Sequence, residues 1–118
     1  MKSIPSWVKP TIARLVDVQR LPENWDSYGS HPIKAELIKN ALGVLGATMS
    51  QNIPAPAVVP LADGGLQLEW HRRQQDLEIV FSADEPAQFF YRNRATDQQD
   101  EGLARETNKL ASLLLNLV

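Results

Sequence analysis

Leu66-Gln67-Leu68-Glu69-Trp70-His71 is followed, across Arg72-Arg73-Gln74-Gln75-Asp76, by Leu77-Glu78-Ile79-Val80-Phe81-Ser82. Leu66, Leu68 and Trp70 alternate with Gln67, Glu69 and His71. Leu77, Ile79 and Phe81 alternate with Glu78, Val80 and Ser82. Successive side chains of a strand point to opposite faces, so this period of two predicts strands with one apolar and one mostly polar face. Ala87, Phe89 and Tyr91 repeat the pattern against Gln88, Phe90 and Arg92. Arg72-Arg73-Gln74-Gln75 and Asp84-Glu85-Pro86 supply the turns between them. Upstream, Asp63-Gly64-Gly65 is a hairpin signal, because glycine takes positive φ at little cost. Ala57 to Leu61 is limited by Pro56 and Pro60, which predicts a short edge strand, since proline cannot donate to a ladder.

The flanks switch to helical period. Over residues 33–51, Ile38, Leu42, Leu45 and Met49 fall on one stripe, widened by Leu37, Ala41, Val44 and Thr48. Gly43 and Gly46 each cost roughly 1 kcal/mol relative to Ala inside a helix. A close approach to a neighbouring backbone would compensate for them. Residues 1–21 read as a turn and a short helix, with Pro10 in its first turn and Ile12, Leu15, Val16 and Gln19 as its stripe. Asn52 to Pro56 is a stiff connector. Ala95 to Gln99 reads as a polar loop, and a last helix from Asp100 to Leu117 carries Leu103, Thr107, Leu110, Leu114 and Leu117. The expected order is ααββββα. The expected fold is α+β, a two-layer sandwich in which helices pack on one face of a four-stranded antiparallel meander, with residues 1–118 as a single domain.

Composition narrows the function classes. The chain has 118 residues, 43% of them apolar, which suits a globular core. It has no cysteine, so disulfides and thiolate zinc sites are excluded. No stretch approaches the roughly 20 apolar residues of a membrane span, and Met1 to Pro5 opens no signal-peptide run. A cytoplasmic protein with no membrane partner is expected. A net charge of −2 argues against nucleic acid, whose usual footprint is a clustered basic face.

Several residues are candidates for a site. Trp25, Asp26 and Tyr28 sit on a loop that either seals the core end or presents two aromatics to a ligand or partner. A pocket between that loop and Glu69 would make the chain a small-ligand or nucleotide sensor. Glu69, His71 and Glu78, with Arg92 beside them, share the polar sheet face. They form either cross-strand ion pairs or an acid–base cluster for a metal-assisted hydrolase. Arg72 and Arg73, a strand away from Arg92 and Arg94, are a solubilising turn or a small phosphate patch. Val80 and Phe90 also point to the polar face, and exposed apolar groups there mark an interface. Leu115 and Val118 exceed what one helical stripe needs. They serve a subunit contact or wrap into the core. No catalytic residue, metal ligand or cofactor is assigned, because ligand spacings and phosphate loops are absent.

Leu21-Pro22 with Trp25 to Gly29, and Asp63-Gly64-Gly65 with Leu68-Glu69-Trp70, together resemble a group of small uncharacterised bacterial proteins with paired WDSYG and DGGxxLEW motifs. The resemblance spans roughly residues 12–82. It implies an architecture and no catalytic residues. It also implies defence or mobile-element cargo, such as an antitoxin-like partner. The leading expectation is a non-enzymatic protein-interaction module that binds a partner protein or itself.

Overall fold

The computed structural model describes residues 3–118; the opening turn expected from residue 1 extends to Met1 and Lys2, which lie outside the described residues. The elements are α1 (Val8–Gln19), α2 (Ala35–Thr48), β1 (Ala57–Pro60), β2 (Leu66–Arg72), β3 (Gln75–Phe81), β4 (Gln88–Asn93), β5 (Gln99–Leu103) and α3 (Thr107–Leu115). The strands form one antiparallel sheet in the order β1-β2-β3-β4-β5. The fold is α+β with an antiparallel sheet, as expected, but the sheet has five strands rather than four.

The extra strand replaces the start of the expected last helix. Gln99-Asp100-Glu101-Gly102-Leu103 has no apolar alternation, so its sequence does not announce a strand. It is held by its register on β4, from Arg92 opposite Gln99 to Gln88 opposite Leu103. Gly102 lies over the Phe89 ring, where an added Cβ would stand 2.9 Å from Phe89 Cε2. Leu103 therefore belongs to the sheet, and α3 begins only at Thr107.

Strand alternation holds across β2, β3 and β4. Val58, Leu66, Leu68, Trp70, Leu77, Ile79, Phe81, Phe89 and Tyr91 are buried with Leu15 and Val18 of α1, the inner face of α2, and Leu110, Leu113 and Leu114 of α3. Leu117 just beyond α3 joins them, whereas Leu115 and Val118 are exposed at 57% and 43%. Burial of this apolar surface stabilises the fold by about 25 cal/mol per Å² removed from water.

Both N-terminal helices are rotated from the expected stripes. In α1 the buried positions are Thr11, Leu15 and Val18, while Ile12 and Val16 face outward. In α2 they are Leu37, Ile38, Ala41, Leu45 and Thr48, and Leu42 is 41% exposed. The expected α1 stripe passed over Thr11, whereas every buried position of α2 lies within its expected stripe, whose centre shifts away from Leu42. The close approach expected at Gly43 and Gly46 is absent, since an added Cβ would meet nothing within 4 Å at either position.

The glycines make opposite predictions. Gly46→Ala relieves only backbone entropy and should raise unfolding stability in urea by about 0.5–1 kcal/mol. Gly102→Ala must displace the Glu106 carboxylate and the Phe89 ring and should lower it by about 1–3 kcal/mol. Equal shifts at the two sites would contradict the packing described.

Candidate functional site

The loop before α2 is built by its own polar groups. Asn24, Ser27 and Gly29 all take positive φ (60°, 66° and 84°). The Asp26 carboxylate accepts the N–H of Tyr28 at 2.8 Å and of Ser30 at 3.2 Å, while Asn24 Oδ1 accepts the Gly29 N–H at 2.7 Å. The Tyr28 N–H, and after it the Ser30 hydroxyl, hold the Asp26 carboxyl below the usual carboxylate range. Trp25 Nε1 donates to the His31 carbonyl at 2.8 Å. The loop is then stitched to the β1–β2 hairpin. The His31 N–H donates to the Ala62 carbonyl at 2.8 Å, and the Lys34 N–H to the Gly64 carbonyl at 3.2 Å. The two sequence motifs thus form one structural unit. Trp25 and Asp26 brace it, and Tyr28 stands in solvent at 91% exposure.

The second region is the sheet face that no helix covers. Register arranges its outward side chains in three rows. His71, Asp76, Arg92 and Gln99 form the first; Glu69, Glu78, Phe90 and Glu101 the second; Gln67, Val80, Gln88 and Leu103 the third. Phe90 is 39% exposed, whereas Val80 and Leu103 are half-buried. A shallow concavity of about 630 Å³ runs over the first two rows, lined by His71, Asp76, Glu78, Phe90, Arg92 and Glu101 among others. Trp25, Tyr28 and Glu69 are not among its walls, so it is not the pocket expected between that loop and Glu69.

The first row neutralises itself. His71 Nδ1 lies 2.7 Å from Asp76 Oδ1, and Nε2 lies 3.5 Å from Glu69 Oε1. Asp76 Oδ2 also meets Arg94 Nε at 3.3 Å, and Arg92 Nη2 meets Asp97 at 3.1 Å. The hydrogen bond that the His71 ring donates to Asp76, ahead of the one to Glu69, raises the His71 pKa above its ordinary 6.5. In the second row Glu78 and Glu101 have no ion-pair partner among the described residues.

The other sequence candidates separate. Arg72 has the parity of Trp70 and turns away from the open face, where its Nε donates to the Leu117 carbonyl at 2.6 Å. Beside it, Gln75 Nε2 donates to the Asn116 carbonyl at 3.1 Å, and the Tyr91 hydroxyl donates to Gln75 Oε1 at 2.5 Å. Arg73 occupies the hairpin tip with φ 54°. The arginines therefore do not converge as a phosphate patch. Among the described residues no group of three or more His, Asp or Glu is placed to hold a metal ion. Nor is any helix among them long and apolar enough to cross a membrane. Sequence reasoning passed over Asp76, although a two-residue turn sets it directly opposite His71. It passed over Glu101 because β5 itself was hidden.

Both sheet edges are closed. The outward N–H groups of Glu101 and Leu103 on β5 donate to the Asp100 and Glu106 carboxylates at 2.9 and 2.8 Å. On β1, Pro60 has no N–H to offer, and α1 packs alongside. Edges treated in this way resist strand addition. Comparison of the chain with family models, curated proteins and solved structures gave no match.

Protonation of His71 couples to folding. Its folded pKa is raised, so its stabilising contribution is full below about pH 6.5 and fades as pH rises through the folded value. Thermal melts from pH 5.5 to 9 should show the wild type losing stability relative to His71→Gln on the alkaline side. The loss should be small, because the ring is half exposed. Parallel curves would contradict this assignment.

Proposed function

We propose that this protein is a non-enzymatic interaction module that receives a partner protein on the open face of its sheet. The observation that supports this reading is Phe90, exposed near the middle of a five-stranded sheet face with Val80 and Leu103 beside it. An aromatic in that setting contributes nothing to the core and is the residue type that anchors interfaces. The closed edges favour docking onto the face over strand addition. A role as a subunit or antitoxin-like partner in a bacterial defence or mobile-element system is supported by the resemblance of the paired motifs.

A second reading is a small-ligand sensor. Its support is the concavity of about 630 Å³, within the volume range of small-molecule sites. Its walls would be Phe90, His71 and Glu78 rather than the Trp25 loop.

A photocrosslinking residue at position 90 tests the docking reading, with Arg14 on exposed α1 as the control position. In cells, position 90 should give a discrete crosslinked product and position 14 none. Equal products from both positions, or none from position 90, would remove the proposal.

A further inference from the structure

We infer that the group seated on Phe90 is cationic: an arginine or lysine side chain from a basic segment of the partner protein, held between Glu78 and Glu101. This rests on the reading of the open face as the docking surface.

Register places Glu78 opposite Phe90 on one side and Glu101 opposite it on the other. Neighbouring strands are about 4.8 Å apart, so the backbones that carry Glu78 and Glu101 flank Phe90 at a separation of about 10 Å. Glu69 stands directly opposite Glu78, and like charges in that relation are destabilising. Glu69 is engaged by His71 and Gln67, whereas Glu78 and Glu101 have no ion-pair partner among the described residues. Local cations are committed elsewhere: Arg92 to Asp97, Arg94 to Asp76 and Lys109 to Asp100.

The covered face of the same two strands carries a related contact, with the carboxylate diagonal to the ring rather than opposite it. There, Lys109 Nζ stands 5.8 Å from the Phe89 ring centroid and 2.8 Å from Asp100 Oδ1. Phe89 and Asp100 are the chain neighbours of Phe90 and Glu101. Outside, the aromatic and the carboxylates are present, and no cation stands over the ring among the described residues. A cation over an aromatic face is attracted by the ring quadrupole, more so once desolvated by a partner. Phe90 therefore does more than add apolar area. It selects the charge that its flanking carboxylates require.

Charge also disfavours a second copy of this chain as the occupant. In the first row Asp76 is met by His71 and Arg94, whereas the second row holds Glu69, Glu78 and Glu101 and no basic residue. Apposing two such faces doubles the acidic excess, whereas a basic segment cancels it.

The test is an NMR titration of the amide-labelled protein with hexa-arginine, using hexaglutamate as the control. Hexa-arginine should shift β3, β4 and β5 resonances, and its affinity should fall with added salt. Glu78→Gln with Glu101→Gln should weaken it about tenfold, and Phe90→Leu several-fold. The double variant should melt at or above the wild-type temperature, because a repulsion has been removed. Shifts scattered over the helices, or undiminished affinity in the double variant, would overturn the inference. The crosslink from position 90 separates the two claims. If it persists unchanged in the Glu78→Gln, Glu101→Gln background, the cationic contact is wrong and the docking reading stands. If it is absent from the wild type, the docking reading itself fails.

Discussion

Three helices cover one face of a five-stranded sheet, and the other face stays in water. This one-sided burial is the constraint on which the remaining structure depends. Side chains alternate with a period of two, so slipping β2 against β3 by one residue would send Leu66, Leu68 and Trp70 into solvent and draw Glu69 and His71 under the helices. The cost of burying unpaired charge makes that slip prohibitive. The register that buries Leu68 opposite Ile79 therefore also sets Glu69 opposite Glu78 and Phe90 beside Glu101. The outer face is specified by the inner one.

Two tryptophans hold the helical layer in place. Trp25 Nε1 ties down the segment entering α2 through the His31 carbonyl, and Trp70 Nε1 ties down the connector leaving it through the Pro54 carbonyl, each at 2.8 Å. The backbone bonds from His31 and Lys34 to the β1–β2 hairpin complete the junction. A cap made in this way leaves the loop aromatics with different tasks. Trp25 is structural, while Tyr28 touches little of the fold and remains available at the surface.

Much of the fold was legible because β2, β3 and β4 obey strict alternation. The same parity placed Val80 and Phe90 outward and Trp70 inward. It also placed Arg72 inward, which its charge obscured; the long side chain escapes the core by reaching the Leu117 carbonyl. β5 was not legible. Its polar residues and Gly102 carry no periodic signal, and only pairing with β4 and the fit over Phe89 make it a strand. That omission concealed Glu101 and with it half of the acidic frame around Phe90. The α1 stripe was misplaced because Thr11 is buried while Ile12 and Val16 are not; in α2 the expected set holds Leu37, Ile38, Ala41, Leu45 and Thr48, and Leu42 falls outside the buried face.

The central claim is that the Val80–Phe90–Leu103 face is uncovered in the free protein. A soluble paramagnetic agent added to the NMR sample measures this directly. The account predicts strong relaxation enhancement of the Phe90 ring and the Val80 methyls, and little for Phe89 and Ile79. Protection of Phe90 and Val80 at every protein concentration would mean that the face is already covered and would contradict the account.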